Sequence, residues 1–270
     1  MLRDITLGQY YPADSVIHKL DPRVKLFATM IYIISLFCFK GIAALLVATV
    51  FLIAVIRVSK VPFHFMVKGL KTIMVLMIIT ALFNLFLTPG EPLITFWIFK
   101  ITAEGIKSAA LMTIRLVYLI LGTSIMTLTT TPNQLTDGLE KALMPLSKIG
   151  IPVHAIAMMM SIALRFIPIL IEETDKIMKA QMARGADFEN GNLIQKVKNM
   201  IPLLVPLFVS AFRRADDLAM AMEARCYNGG EGRTKMKPLR YMKRDHLAYV
   251  IVLAYFVVIL VCRTFLPFPM

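Results

Sequence analysis

Five runs of apolar residues limit this chain's fold more than any other feature. They fall near 24–39, 42–57, 72–87, 108–130 and 246–265. A helix needs roughly 20 apolar residues to cross a bilayer, and the runs reach or approach that length. Inside hydrocarbon every backbone N–H and C=O must be satisfied within the segment, so each run is expected to be helical. The chain is 58% hydrophobic with a mean hydropathy of +0.71, far from the make-up of a soluble fold of this size. The expected fold class is an all-α integral membrane protein with about five transmembrane helices, plus a coupling domain of long amphipathic helices. The expected division is 1–131 as an N-terminal membrane domain, 132–244 as a cytoplasmic coupling domain, and 245–270 as a C-terminal transmembrane helix.

Charge sets the expected orientation. The net charge is +13, and Lys and Arg gather on the cytoplasmic side of membrane proteins. With the N-terminus inside, the joint at 57–71 is cytoplasmic and holds Arg57, Lys60, Lys68 and Lys71 with no acid. The joint at 88–107 is then external, and there Lys100 and Lys107 balance Glu91 and Glu104. Residues 131–245 carry 17 basic and 12 acidic side chains and are expected inside. The C-terminus then lies outside. A cell-membrane, multi-pass location follows. Nucleic acid is a poor explanation of the charge, because the basic residues are mixed with acids and spread by topology. The N-terminus, with Arg3 and Asp4 and no apolar segment close behind, does not read as a signal peptide.

Punctuation refines the runs. Asp21 is a candidate N-cap with Pro22 at the first helical position. The stretch 93–101 is too short to cross and rich in β-formers, so it reads as an interfacial strand or hairpin, with Trp97 at the membrane boundary. Arg115 lies inside the fourth run, where a charge must snorkel, pack or act in transport. Thr130, Thr131 and Pro132 should cap an amphipathic helix starting near Asn133. Residues 153–171 look like a further span, but crossing would place the basic segment after them outside. They are expected instead to begin one long helix ending at Arg184, with a second helical pattern over 193–225, bent at Pro202 and Pro206.

Those two helical patterns end alike, in Ala183-Arg184-Gly185 and Ala224-Arg225-Cys226. Each places an Arg where helix yields to turn-forming residues. Guanidinium offers a fork of donors for carboxylate or carbonyl oxygens and complements the negative end of the helix dipole. One such triplet is only a helix stop; two in one membrane protein suggest a pair of docking tips.

Catalytic chemistry finds no support. There is no phosphate loop, no HExxH and no GxSxG. His18, His64, His154 and His246 are scattered, and Cys38, Cys226 and Cys262 have no ligand spacing. Glu172-Glu173 and Asp216-Asp217 point in two directions on a helix and read as solvated faces. No metal site, catalytic residue or bound cofactor is expected. An autonomous secondary transporter or channel remains the second reading, although no run holds a chain of carboxylates; uptake by the chain alone in liposomes would reveal it. A membrane-embedded enzyme is the third.

Nearly the whole chain resembles the transmembrane T component (EcfT/CbiQ type) of energy-coupling-factor (ECF) transporters, which are ATP-driven importers. The resemblance rests on Gly8, Gln9, Tyr10, Pro12, Ser15 and His18, followed by Leu20-Asp21-Pro22-Arg23-Val24-Lys25. It continues through Leu128-Thr129-Thr130-Thr131-Pro132 with Leu135 and Leu139-Glu140, then Ile162-Ala163-Leu164-Arg165-Phe166-Ile167-Pro168, Gln181 and both triplets. Cys226 departs from the pattern, which would have Gly. The resemblance implies a non-catalytic scaffold for uptake of a vitamin or metal ion. Its implied partners are two cytosolic ATPases, as a homo- or heterodimer, which bind ATP and Mg, and a membrane-embedded substrate-binding S component. Arg184 and Arg225 with their flanking residues would dock the ATPases. The apolar stretches 153–171 and 201–212 need a partner. Met158, Met159 and Met160, with Leu204 and Phe208, are the candidates for the S-component face; a Met run gives an adaptable surface, or simply packs in a core.

Overall fold

The computed structural model describes residues 10–38, 41–89, 92–96, 99–186, 188, 193–229, 236 and 238–265. Trp97 and most of the turn expected after Gly185 lie outside the described residues. Among the described residues eight α-helices carry the architecture: α1 Pro22–Cys38, α2 Ile42–Ser59, α3 Phe63–Leu87, α4 Ala103–Thr129, α5 Pro132–Leu143, α6 Val153–Ala183, α7 Leu193–Glu223 and α8 Lys243–Phe265. A short 3₁₀ helix, Met144–Ile149, joins α5 to α6. Between α3 and α4 lies an antiparallel hairpin, β1 Pro92–Phe96 and β2 Phe99–Thr102, with Phe96 opposite Phe99. The strand propensity of 93–101 therefore prevails locally, in an otherwise helical membrane protein.

By length and composition α2, α4, α6 and α8 could each cross a bilayer, and α3 makes a fifth if its two parts, bent by 60°, count as one span. α1, with 17 residues, is slightly shorter than the roughly 20 a perpendicular span needs. α3 begins nine residues before the apolar run at 72, so the hydrophilic joint at 57–71 shrinks to a turn around Lys60–Pro62. Pro62 precedes the first helical residue, and from Phe63 to Lys71 only Gly69 strongly disfavours helix; the basic side chains there occupy helix rather than loop.

Contacts divide the chain into two units. One comprises Gly8–Leu139 and Leu239–Met270, the other Glu140–Pro238. In the first, α4 packs on α1, α2 and α3, and α8 packs on α1 and α2. Its core centres on Tyr32, Leu36, Ala44, Ala48, Leu52, Ile125, Tyr255 and Ile259. Phe51 and Tyr255 stack at 4.0 Å between ring centroids. The polar atoms among them are paired: Tyr32 donates to the Tyr118 carbonyl at 3.0 Å, and Ser35 and Tyr255 share a hydrogen bond of 2.9 Å. Small residues let the helices close up. A Cβ on Gly122 would lie 2.2 Å from the Tyr32 ring, the close approach that small residues allow in membrane bundles.

The start of α1 is tied to distant parts of this unit. Asp21 caps α1 by accepting the Arg23 N–H at 2.9 Å. Its own N–H donates to Asp245 Oδ1 at 2.9 Å, while Asp245 Oδ2 accepts the Met242 N–H at 2.7 Å. Asp245 thus caps the first turn of α8 and holds α1 at once. Lys25 Nζ donates to the Thr129 carbonyl at 2.8 Å and to the His18 carbonyl at 3.2 Å. The Arg23 guanidinium lies 4.9 Å from the centre of the Tyr241 ring. α5 opens on a reciprocal cap in which the Thr131 hydroxyl accepts from the Gln134 backbone N–H and the Gln134 side-chain Oε1 accepts from the Thr131 backbone N–H.

Candidate functional site

The second unit presents the two arginine triplets. α6 and α7 are 31-residue helices packed against each other. Two contacts between them set their sense. Gln181 Nε2 donates to the Pro202 carbonyl at 3.3 Å, and Arg214 donates to Glu173 at 2.7 Å. Going forward along α6 means going backward along α7, so the helices run antiparallel. The Gln181 contact has a specific cause. Pro206 has no N–H to give the carbonyl four residues earlier, which is that of Pro202. Gln181 supplies the missing donor.

Both helices end in the same hydrogen-bond pattern. At α6 the Ala186 N–H reaches the Gln181 carbonyl and the Gly185 N–H reaches that of Met182, each at 3.0 Å. At α7 the Tyr227 N–H reaches the Met222 carbonyl at 3.0 Å, and the Cys226 N–H reaches that of Glu223 at 2.8 Å. These paired bonds define a Schellman cap, which needs a left-handed residue just past the helix. Gly185 fills that place with φ +89°, and Cys226 fills it with φ +55°. The third triplet position is therefore constrained by backbone conformation.

Each cap holds its arginine at the last helical boundary, exposed together with both neighbours of its triplet. Among the described residues neither guanidinium has a hydrogen-bond or ion-pair partner. Arg184 lies three residues beyond Gln181 and so near Pro202, whereas Arg225 lies 23 residues beyond Pro202. At 1.5 Å per residue that separation is on the order of 30 Å along α7. The two tips thus sit at opposite ends of the antiparallel pair, too far apart for one small pocket to hold both.

The apolar halves of these rods are largely uncovered. Met159 is 59% exposed, Met160 40%, Leu204 42% and Phe208 61%, while Met158 is half-buried. Leu203, by contrast, is buried, and Val153 and Ala157 are buried on α6. Of the acidic pairs, Glu173 joins Arg214, a cross-link between the rods that the sequence pattern did not reveal. His154 Nδ1 lies 3.0 Å from Glu140 and ties the start of α6 to the end of α5. In the other unit Arg115 lies over Phe37, 5.7 Å from the ring centre, a packing contact on α1. Asp245 and Gln181 are the residues whose positions matter most and which residue type alone did not single out. Asp245 could have been suspected from its place in the first turn of α8; nothing in the pattern paired it with Asp21.

A multi-pass helical membrane protein carrying a pair of antiparallel, arginine-tipped helices is the class these features define. The chain belongs to the family described as cobalt transport protein, whose model matches residues 13–236. Its relatives carry the name energy-coupling factor transporter transmembrane protein EcfT. The one from Clostridium kluyveri is 57% identical over 268 residues, covering 98% of this chain and 97% of its own. That from Heliobacterium modesticaldum is 51% identical over 259 residues, covering 96% and 97%. The Bacillus subtilis relative is 48% identical over 246 residues, covering 91% and 93%. The resemblance noted in the sequence is thereby a family membership, that of the transmembrane components of ECF transporters.

Proposed function

We propose that this chain is the coupling scaffold of an ECF-type importer, linking ATP hydrolysis by two cytosolic ATPases to uptake of a micronutrient through a separate S component. The observation that carries the proposal is the pair of matching Schellman caps, each presenting an exposed arginine at an opposite end of the antiparallel rods. Arg184 docks one ATPase and Arg225 the other, with Ala183, Gly185, Ala224 and Cys226 shaping the two tips. The exposed apolar stretch around Met158, Met159, Met160, Leu204 and Phe208 receives the S component; thioether and aromatic side chains suit a surface that must repack. The N-terminus and the rods face the cytoplasm, in agreement with the Lys/Arg bias, and the C-terminus faces outward. ATP and Mg are held by the ATPases, and this chain contributes no cofactor site and no catalytic group.

The mechanism follows from rigidity. Closure of the ATPase pair on ATP draws the two tips together or apart. A helix transmits such a displacement along its axis, and the Gln181 and Glu173–Arg214 contacts make α6 and α7 move as a pair. The apolar halves then shift against the S component. Reconstitution with candidate ATPases and an S component tests this. Arg184→Glu and Arg225→Glu are each expected to weaken association with the ATPases, by about 10- to 100-fold for loss of one buried charge-assisted contact. The double change is expected to abolish ATP-driven uptake. Assembly and uptake at the unaltered level in the double variant would refute the proposal.

A further inference from the structure

The membrane unit contains a cavity of about 390 Å³ between α1, α2, α4 and α8, within the size range of small-molecule sites. Its walls are mainly apolar, with aliphatic Leu20, Leu52, Val55, Ile125 and Ile251 beside the rings of Tyr32 and Phe51. All four helices contribute from the same end of the bundle: α1 and α8 from their first turns, α2 and α4 from their last. Arg244, in the first turn of α8, lines the cavity at that end. Its Nε is buried and has no hydrogen-bond partner among the described residues. Lys25 also lines it, but its ammonium is already engaged by two carbonyls. Arg57, Lys60 and Lys243 are exposed at the adjoining helix ends.

An aliphatic groove that closes on a guanidinium with an unused donor calls for an amphiphile: a hydrocarbon chain with an anion at one end. Inside a bilayer the molecule with that chemistry is an anionic phospholipid. Basic pockets between transmembrane helices hold such headgroups, and each basic residue near the membrane surface attracts them. A purely apolar occupant would leave the buried Nε unpaired, which costs free energy. A free phosphate would leave the aliphatic walls uncovered. We propose that this groove binds one acyl chain of an anionic phospholipid, with the lipid phosphate paired to Arg244. The site belongs to the membrane unit alone and does not depend on the coupling role of Arg184 and Arg225.

The test uses the full-length chain, purified in detergent and equilibrated with equal amounts of phosphatidylglycerol and phosphatidylcholine. Retained lipid is read by native mass spectrometry, and folding of each variant by its thermal midpoint. One phosphatidylglycerol should be retained in preference to phosphatidylcholine. Arg244→Gln should lower that retention about fivefold, the factor expected for one basic contact. Arg263→Gln, which removes a guanidinium from the last turn of α8, should leave it unchanged. Ala54→Trp, which fills the groove from an exposed position on α2, should lower retention of both lipids, and millimolar inorganic phosphate should not displace the phospholipid. Should Arg244→Gln fail to fold, Ala54→Trp decides alone. Equal retention of the two lipids, wild-type retention by a folded Arg244→Gln or Ala54→Trp variant, displacement by phosphate, or no retained lipid would each overturn the proposal. The last result would leave the groove to a protein segment.

Discussion

Cys226 shows how one backbone angle constrains a residue. It sits at φ +55° in the place that Gly185 fills on the other rod. A side chain in the left-handed region costs roughly 1 kcal/mol relative to glycine. Cys226→Gly is therefore expected to stabilise the α7 cap by about 0.5–1 kcal/mol, after the greater freedom of glycine in the unfolded chain offsets part of the gain. Amide exchange at Tyr227, whose N–H closes the cap, should slow by about two- to fivefold if it proceeds by local opening. Faster exchange would contradict the assignment of strain to Cys226. His18 supplies a prediction of pH dependence. Nδ1 lies 2.7 Å from the Ser15 hydroxyl and Nε2 lies 3.0 Å from the Tyr11 carbonyl. Burial lowers its pKa from the ordinary 6.5, and Lys25 acts in the same direction, while the Tyr11 carbonyl and Asp14 oppose them. The unfolded chain therefore binds the proton more readily. Stability contributed by neutral His18 is present above pH 6.5 and declines as pH falls through the folded-state value. Thermal midpoints between pH 7.5 and 5 should fall less steeply for His18→Gln than for the wild type.

At the scale of elements, α6 and α7 depend on contacts that periodicity does not specify. Arg214 and Glu173 are 40% and 25% exposed at their side chains, so solvent screening limits the pair to about 0.5–1 kcal/mol. A double-mutant cycle of Glu173→Gln and Arg214→Met should return a coupling in that range. Gln181→Leu should leave the Pro202 carbonyl without its donor and broaden the distance distribution between spin labels on α6 and α7. An unchanged distribution would show that packing alone holds the rods. The helices themselves were legible beforehand. The apolar lengths, Pro22, the Thr130-Thr131-Pro132 cap and the two triplets mark where α1, α5, α6 and α7 begin or end. The start of α3 was not legible, because Lys68 and Lys71 on a helix look like a polar joint in a hydropathy profile. The role of Glu173 was hidden for a similar reason: a charged residue has the same pattern whether it meets water or an arginine on the next helix.

For the molecule as a whole, the membrane unit is closed by groups far apart in sequence. Asp245, only 1% exposed, accepts N–H groups from Asp21, 224 residues away, and from Met242. Asp245→Ala should cost about 3 kcal/mol, from two lost charge-assisted hydrogen bonds and two stranded donors. Asp245→Asn, which keeps one carbonyl acceptor, should cost less. Unfolding of the purified chain in mixed micelles measures both. Equal stability of wild type and Asp245→Ala would show that apolar packing alone joins α1 to α8.

The sequence alone determined that this is a helical membrane protein with two arginine-ended rods, because apolar length, proline, caps and turn formers act within a few residues. It also carried the family resemblance, spread over motifs at both ends of the chain. Only the tertiary structure decided that Asp245 holds Asp21, that Gln181 answers the carbonyl freed by Pro206, and that Arg244 lines a mainly apolar groove. Each of these joins residues through space, and a helical repeat records which face is apolar but not which distant element will meet it.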